Sequence, residues 1–238
     1  MNLESKIAIV TGASKGIGAE FSRMLVQNGT KVYGLARSKD KLKKLHSELG
    51  DSFHPVVMDI TNSEKLEQWV DDTFSRKHQP DILINNAGVM YSDKVEDLSM
   101  EEWHNMINVN LNGVFYLTRL IVPLMKNNEN VCHIINIASI AGLLGNPSIS
   151  GYNASKFAVR GFSEALFKEL RYDGIKVTCV FPGSINTDLF DKIEGIENHP
   201  NMMKTTDISS TVKFLLETDD NFLINEITMR PLNPKDPT

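Results

Sequence analysis

Short runs rich in β-branched residues alternate along this chain with longer stretches whose apolar positions recur every three to four residues. The short runs, at 6–11, 31–35, 52–58, 82–85, 132–137, 176–181 and 222–229, predict strands. Several carry few polar interruptions, as parallel strands covered on both faces do. Helical patterns fall at 16–28, 39–49, 62–77, 100–126, 152–172 and 206–217. Asn62 ahead of Ser63-Glu64, and Ser99 three residues before Glu102, are helix start signals. This alternation predicts an α/β architecture: a doubly wound, mainly parallel sheet of seven strands with helices on both faces. No repeat or linker divides the rhythm, so residues 1–238 read as a single domain. The rhythm breaks at 188–203, where acids, Gly195, Pro200 and scattered apolar residues mix. It breaks again at 231–238, where Pro231, Pro234 and Pro237 remove backbone donors and predict an extended tail.

Composition narrows the classes of function. The chain has 238 residues, 41% of them hydrophobic, enough to bury a core without disulfides or metals. Its 25 Lys and Arg against 30 Asp and Glu leave a net charge of −5, which speaks against nucleic acid or anionic lipid as the main partner. No run approaches the roughly 18 apolar residues of a membrane span. Met1–Lys6 leads directly into the first strand pattern without the basic and apolar regions of a secretion leader. Cys132 and Cys179 lie inside strand runs with no paired spacing, so they read as buried free thiols, and a cytoplasmic location is expected. The six histidines have no metal-ligand spacing, and no metal is expected.

The first strand is followed by Thr11-Gly12-Ala13-Ser14-Lys15-Gly16-Ile17-Gly18, which opens a helix. Glycines let a backbone turn tightly against a pyrophosphate, and a helix N-terminus adds free N–H groups and a positive dipole end. Three glycines alone also suit a purely structural turn; the strand-to-helix context points to a dinucleotide. A carboxylate about 20 residues further on would bind a ribose diol. Here that place holds Ala36 and Arg37, and the nearest acid, Asp40, falls in the next predicted helix. With Lys15 in the glycine loop, Arg37 supplies a second cation for a 2′-phosphate. NADP(H) is the expected cofactor, unless both cations are merely solvated surface charges.

Tyr152 and Lys156 lie one helical turn apart on one face. A phenol with its ordinary pKa of about 10 is a poor acid or base at neutral pH, and a neighbouring ammonium lowers that value. Ser139 closes a strand thirteen residues upstream. Asn86-Ala87-Gly88 closes another, and Pro182-Gly183-Ser184-Ile185-Asn186-Thr187 a third. Ligands of open parallel sheets bind beyond such strand ends. Asn110 alone lies away from that edge, within the long central helical pattern.

With these motifs together, in this order and spacing over residues 11–187, the sequence resembles the short-chain dehydrogenase/reductase family, whose members have a Rossmann-type fold. The resemblance implies that Tyr152 is the general acid in carbonyl reduction. Lys156 would lower its pKa and bind the nicotinamide ribose. Ser139 would hold the carbonyl oxygen, and Asn110 a water linking Lys156 to solvent. It places cofactor contacts at Gly12, Ser14, Lys15, Gly16, Ile17 and Gly18, at Arg37, at Asp59 and Ile60 beside the adenine, at Asn86, Ala87 and Gly88, and at Pro182, Gly183, Ile185 and Thr187 beside the nicotinamide.

The segments that line substrate pockets in the family hold Met90 and Tyr91, then Leu143 and Leu144, then Leu189 and Phe190, with Ile193, Ile196, Met202 and Met203 beyond. This lining predicts an uncharged ketone or aldehyde, or an acyl chain. The end Ile227-Thr228-Met229-Arg230-Pro231 lacks the glycine-rich turn usual in 3-oxoacyl-(acyl carrier protein) reductases. It resembles instead the branch of 3-hydroxy-acid and serine dehydrogenases and carbonyl reductases. A non-catalytic NADP redox sensor would need the glycine loop but not Ser139, Tyr152 and Lys156. The helix at 152–172 carries more apolar surface than one core face needs. With the family's habit of pairing this helix and the one at 112–126, it predicts a homodimer or homotetramer.

Overall fold

The computed structural model describes residues 1–187 and 198–234. The strands are β1 (Ile7–Thr11), β2 (Lys31–Ala36), β3 (Phe53–Val57), β4 (Ile82–Asn85), β5 (Cys132–Ile137), β6 (Ile175–Pro182) and β7 (Glu226–Met229). They form one sheet in the order β3-β2-β1-β4-β5-β6-β7, every neighbouring pair parallel. The expected doubly wound fold is present. Its strand order reverses between β1 and β4, which opens a crevice beyond the C-terminal ends of those strands.

The helices are α1 (Gly16–Gln27), α2 (Lys39–Leu49), α3 (Ser63–Thr73), α4 (Met100–Ile107), α5 (Gly113–Lys126), α6 (Ser150–Leu170) and α7 (Thr205–Glu217). Asn62 caps α3 by accepting from the Lys65 N–H at 2.9 Å. Ser99 and Glu102 form the expected capping box on α4. The core lies on both sides of the sheet. Phe21, Leu25, Ile208 and Leu215 pack one face, while Leu66, Leu117, Ile121 and Leu170 pack the other.

Three expected elements differ from the structure. The pattern at 100–126 is not one helix: a π-helical turn at Asn108–Asn112 separates α4 from α5. The helix predicted to run to 77 stops at Thr73, because the backbone extends at Phe74 to bury that ring edge-on against Tyr33. Of the strand predicted at 222–229 only Glu226–Met229 pairs, against Cys179–Pro182, while Phe222 stays exposed.

Candidate active site

Thr11 ends β1 and stitches it to the end of β4. Its hydroxyl oxygen accepts from the N–H groups of Asn86 and Ala87 at 2.9 and 3.0 Å, and its carbonyl accepts from the Asn86 amide at 2.9 Å. Gly12 follows with φ +67°, a left-handed conformation that favours glycine. A Cβ on Gly18 would lie 2.3 Å from the Gly12 carbonyl oxygen, so loop and helix approach as closely as backbone allows. The result is a narrow cradle of main chain at the N-terminus of α1, which fits a pyrophosphate. Ser14, Lys15, Gly16 and Ile17 are part of it. Thr187, beyond the end of β6, packs against its rim, with its methyl 3.6 Å from where a Gly16 Cβ would stand.

The loop is tied sideways to β2 by the Ala13 N–H, which donates to the Leu35 carbonyl at 3.2 Å. Ala36 then ends β2, and Arg37 is exposed beside the loop after β3. In that loop Asp59 accepts from the Thr61 N–H and hydroxyl at 3.0 and 2.8 Å. Burial pushes its carboxyl up, but the Thr61 hydrogen bonds and the Arg37 charge outweigh this and hold it below its ordinary value. Asp40 lies in the first turn of α2, as expected. Ile60, buried next to Asp59, packs against Gly113 at the start of α5.

The chemistry-bearing side chains meet where β5 and β6 end. Ser139 follows β5 in extended backbone at the head of a short turn, Ile140–Gly142. Its Oγ accepts from the Ala141 N–H at 3.2 Å. Tyr152, in the first turn of α6, is buried with its phenol beside Ser139, whose hydroxyl donates to the Pro182 carbonyl at 3.5 Å. Burial drives the phenol up to about 12, and the neighbouring Ser139 hydroxyl offsets only part of this. Lys156 is 4% exposed, and its Nζ donates to the Ile137 carbonyl at 2.9 Å. Burial lowers this ammonium to about 8.

Asn110, expected apart from the strand ends, in fact joins them. The π-helical turn aims its side chain at the segment after β4. Oδ1 accepts from the Val89 N–H at 2.8 Å, and Nδ2 donates to the Val89 carbonyl at 2.9 Å and to Ser155 Oγ at 3.0 Å. Both amide hydrogens are used, which leaves a second lone pair on Oδ1 for a water. A Cβ on Gly88 would stand 3.4 Å from Asn110 Oδ1 and 3.6 Å from Lys156 Nζ, so these three residues converge.

The expected pocket residues divide. Met90 and Tyr91 gather with Tyr152, Met106 and Ala141. Leu143 turns away to pack with Ala138, Val159, Cys179 and Phe181, and Leu144 is half-exposed. Met203 pairs its backbone with Ile185 and packs into the core beside it, and Met202 is buried; neither extends the Tyr152 cluster. Leu189, Phe190, Ile193 and Ile196 lie outside the described residues.

Sequence reasoning passed over a buried polar row beneath this site. Asn85 donates to Asn136 Oδ1 at 2.8 Å and to Thr118 Oγ1 at 3.0 Å, and Asn136 donates to Ser163 Oγ at 2.8 Å. The signal was an asparagine inside each of two otherwise apolar runs. No group of His, Cys, Asp or Glu that could hold a metal occurs among the described residues. Burial pushes the Cys132 and Cys179 thiols up to about 12 and about 11.

A family model described as short chain dehydrogenase matches residues 6–197. An uncharacterized oxidoreductase of Staphylococcus saprophyticus is 34% identical over 236 residues, which cover 98% of this chain and 100% of that protein. Among solved structures, the closed form of a serine dehydrogenase complexed with NADP+ superposes with a TM-score of 0.87 at 29% identity, over 98% of this chain and 97% of that one. A 3-ketoacyl-(acyl-carrier-protein) reductase from Brucella melitensis complexed with NADH gives 0.86 at 27% identity, over 95% and 98%.

Proposed function

The chain belongs to the short-chain dehydrogenase family, and on that premise we propose that it is an NADP(H)-dependent oxidoreductase acting on an uncharged ketone or aldehyde, or on the corresponding secondary or primary alcohol. One observation carries this reading: the buried Tyr152 phenol beside Ser139, with the Lys156 ammonium on the same buried face of α6, 5.6 Å from the centre of the Tyr152 ring, at the sheet edge where the glycine cradle opens.

The nicotinamide, when bound, supplies or takes up the hydride. The chain's own residues handle the oxygen. Ser139 and Tyr152 donate to it as negative charge builds, and Tyr152 completes its protonation in reduction or removes the proton in oxidation. Lys156 holds positive charge near the phenol and favours its ionised form when Tyr152 gives up its proton. The cradle from Gly12 to Gly18 takes the pyrophosphate. Arg37 and Lys15 receive the 2′-phosphate, and Asp59 and Ile60 border the adenine. Asn86, Ala87 and Gly88 line the path between the two halves, with Pro182, Gly183, Ile185 and Thr187 at the nicotinamide. The solved relative bound to NADP+ supports the 2′-phosphate reading; the one bound to NADH makes cofactor choice a matter for direct assay.

A second reading, 3-oxoacyl-(acyl carrier protein) reductase, draws on the Brucella relative. The Arg230-Pro231 ending after β7 argues against it, as does the absence of a glycine-rich turn there. A redox sensor without chemistry has no use for the buried Tyr152–Lys156 pair. The protein works as a homodimer or homotetramer in a reducing cytoplasm. Phe115 and Phe157, 45% and 42% exposed on α5 and α6, support the first part. The two buried free thiols support the second. The test is NADPH and NADH consumption with a panel of uncharged ketones and aldehydes and with acetoacetyl thioesters. Turnover confined to the thioesters would favour the second reading, and no turnover at all the sensor.

A further inference from the structure

Between Ser139 and the start of α6 the chain makes an excursion, residues 140–149, over the catalytic face. Residues 144–148 are exposed, a Cβ on Gly145 would meet nothing within 4 Å, and Ser148 has a positive φ of 62°. Its near part ends on a single side chain. Asn153 Nδ2 donates to the Ala141 carbonyl at 2.7 Å and to the Leu144 carbonyl at 2.6 Å, and Oδ1 accepts from the Asn146 N–H at 3.1 Å. Both amide hydrogens and the amide oxygen of this buried residue are thus spent on one loop.

The loop seats against α6 at a second point. A Cβ on Gly142 would lie 2.7 Å from the Lys156 carbonyl oxygen, so only glycine permits this approach. Ala141 packs with Tyr152 and Met106, and Met90 and Tyr91 border the same cluster. At its far end Ile149 bridges to Asp93, on the segment that carries Met90 and Tyr91. The height of residues 141–146 above Tyr152 therefore sets the gap between Ala141 and Met90–Tyr91, where the carbon skeleton of a carbonyl substrate would lie.

We propose that Asn153 is a positioning residue that holds the 141–146 segment over Tyr152 and thereby sets the size of carbonyl substrate the enzyme accepts. This rests on the oxidoreductase reading above. No apolar side chain could replace the amide, because three main-chain groups would lose their partner. Aspartate has the same shape but offers no donor, and its charge would face two carbonyl oxygens.

The test uses the full chain and two readouts. In the protein without cofactor, Asn153→Ala should speed hydrogen exchange of the Asn146 amide by about tenfold or more, the loss of one hydrogen bond. With NADPH, Asn153→Ala and Asn153→Asp should shift the ratio of kcat/KM between 2-butanone and 2-decanone by about tenfold. The shift should come through KM, with kcat for the better substrate and the Kd for NADPH both kept. A merely structural role would lower both ketones together and leave that ratio unchanged, which would overturn the proposal, as would unchanged Asn146 exchange. If Asn153→Ala fails to fold, Asn153→Asp carries the kinetic readout. The exchange readout needs no turnover: a wild-type protein inactive on every carbonyl would sink the oxidoreductase reading, whereas unaltered exchange would sink the clamp.

Discussion

The Lys156 ammonium lies over the face of the Tyr152 ring, 5.6 Å from its centroid, and spends a hydrogen bond on the Ile137 carbonyl. In the free protein burial therefore separates the two groups' titrations: it lowers the ammonium to about 8 and raises the phenol to about 12. The phenol keeps its proton throughout the useful pH range, while the ammonium begins to lose its own near pH 8. We expect kcat/KM for NADPH in carbonyl reduction, which reports the cofactor-free enzyme, to fall as pH rises through about 8. Lys156→Met should abolish that limb while lowering the plateau. A wild-type profile level to pH 10 would refute this assignment.

Tyr152→Phe removes one hydroxyl from a buried site and leaves the ring packed with Met106 and Ala141. A positioned general acid is worth about 10²–10⁴-fold in rate. We expect kcat to drop within that range and NADPH affinity, followed by fluorescence titration, to change by less than about threefold, because the ring and the Lys156 contact survive. Retention of wild-type kcat would exclude Tyr152 as the proton donor.

Arg37 is exposed, and the one interaction described for it is the pull of its charge on the Asp59 carboxyl, which Thr61 already holds. Its guanidinium is thus available to a phosphate ester. Arg37→Asp should reduce the NADPH-over-NADH ratio of kcat/KM by at least about tenfold, since an attraction becomes a repulsion. An unchanged ratio would remove the ground for assigning NADP(H).

The exposed rings of Phe115 and Phe157 lie on adjacent helices, and Phe115 meets Phe162 edge-on at 6.3 Å between centroids. A single chain leaves this apolar stripe wet. Phe157→Asp should convert an oligomer to a species of about 27 kDa in sedimentation, since burying one unpaired carboxylate in each copy opposes association. A wild-type protein that sediments only as monomer would refute the pairing.

The sheet was legible because hydrophobic periodicity is a local signal: six of the seven strands begin and end within one residue of expectation, among them β4 and β5. The glycine loop and the Tyr152–Lys156 pair were legible because their spacing is itself the chemistry. What stayed hidden depends on contacts distant in sequence. Nothing near Phe74 announces that its ring will meet Tyr33, so the end of α3 was misplaced. Nothing near Asn110 announces a π-helical turn, so its side chain was not expected to reach Val89. Asn85 and Asn136 become a pair only once β4 and β5 lie side by side in register.

We expect His133 to set the acid limit of the fold. It sits in the middle of the sheet, and its Nε2 lies 2.9 Å from Thr178 Oγ1. The Thr178 hydroxyl donates its hydrogen to the Ile224 carbonyl at 2.7 Å, so Nε2 must be the donor to Thr178. The proton then sits on Nε2, and Nδ1 is a bare acceptor with no partner. Protonating Nδ1 would bury a charge and an N–H with nothing to receive it, near Lys176. Burial first, and Lys176 next, lower this imidazole from 6.5 to about 3. A histidine depressed on folding contributes stability that is complete above pH 6.5 and is lost as pH falls toward 3. Over that window the unfolded chain binds one more proton, a slope of about 1.4 kcal/mol per pH unit. His133→Leu keeps the volume, and Thr178 keeps its bond to Ile224. The urea midpoint of the wild type should therefore fall between pH 6.5 and 4.5, and that of the variant should fall distinctly less. Parallel declines would mean that His133 does not set the acid limit.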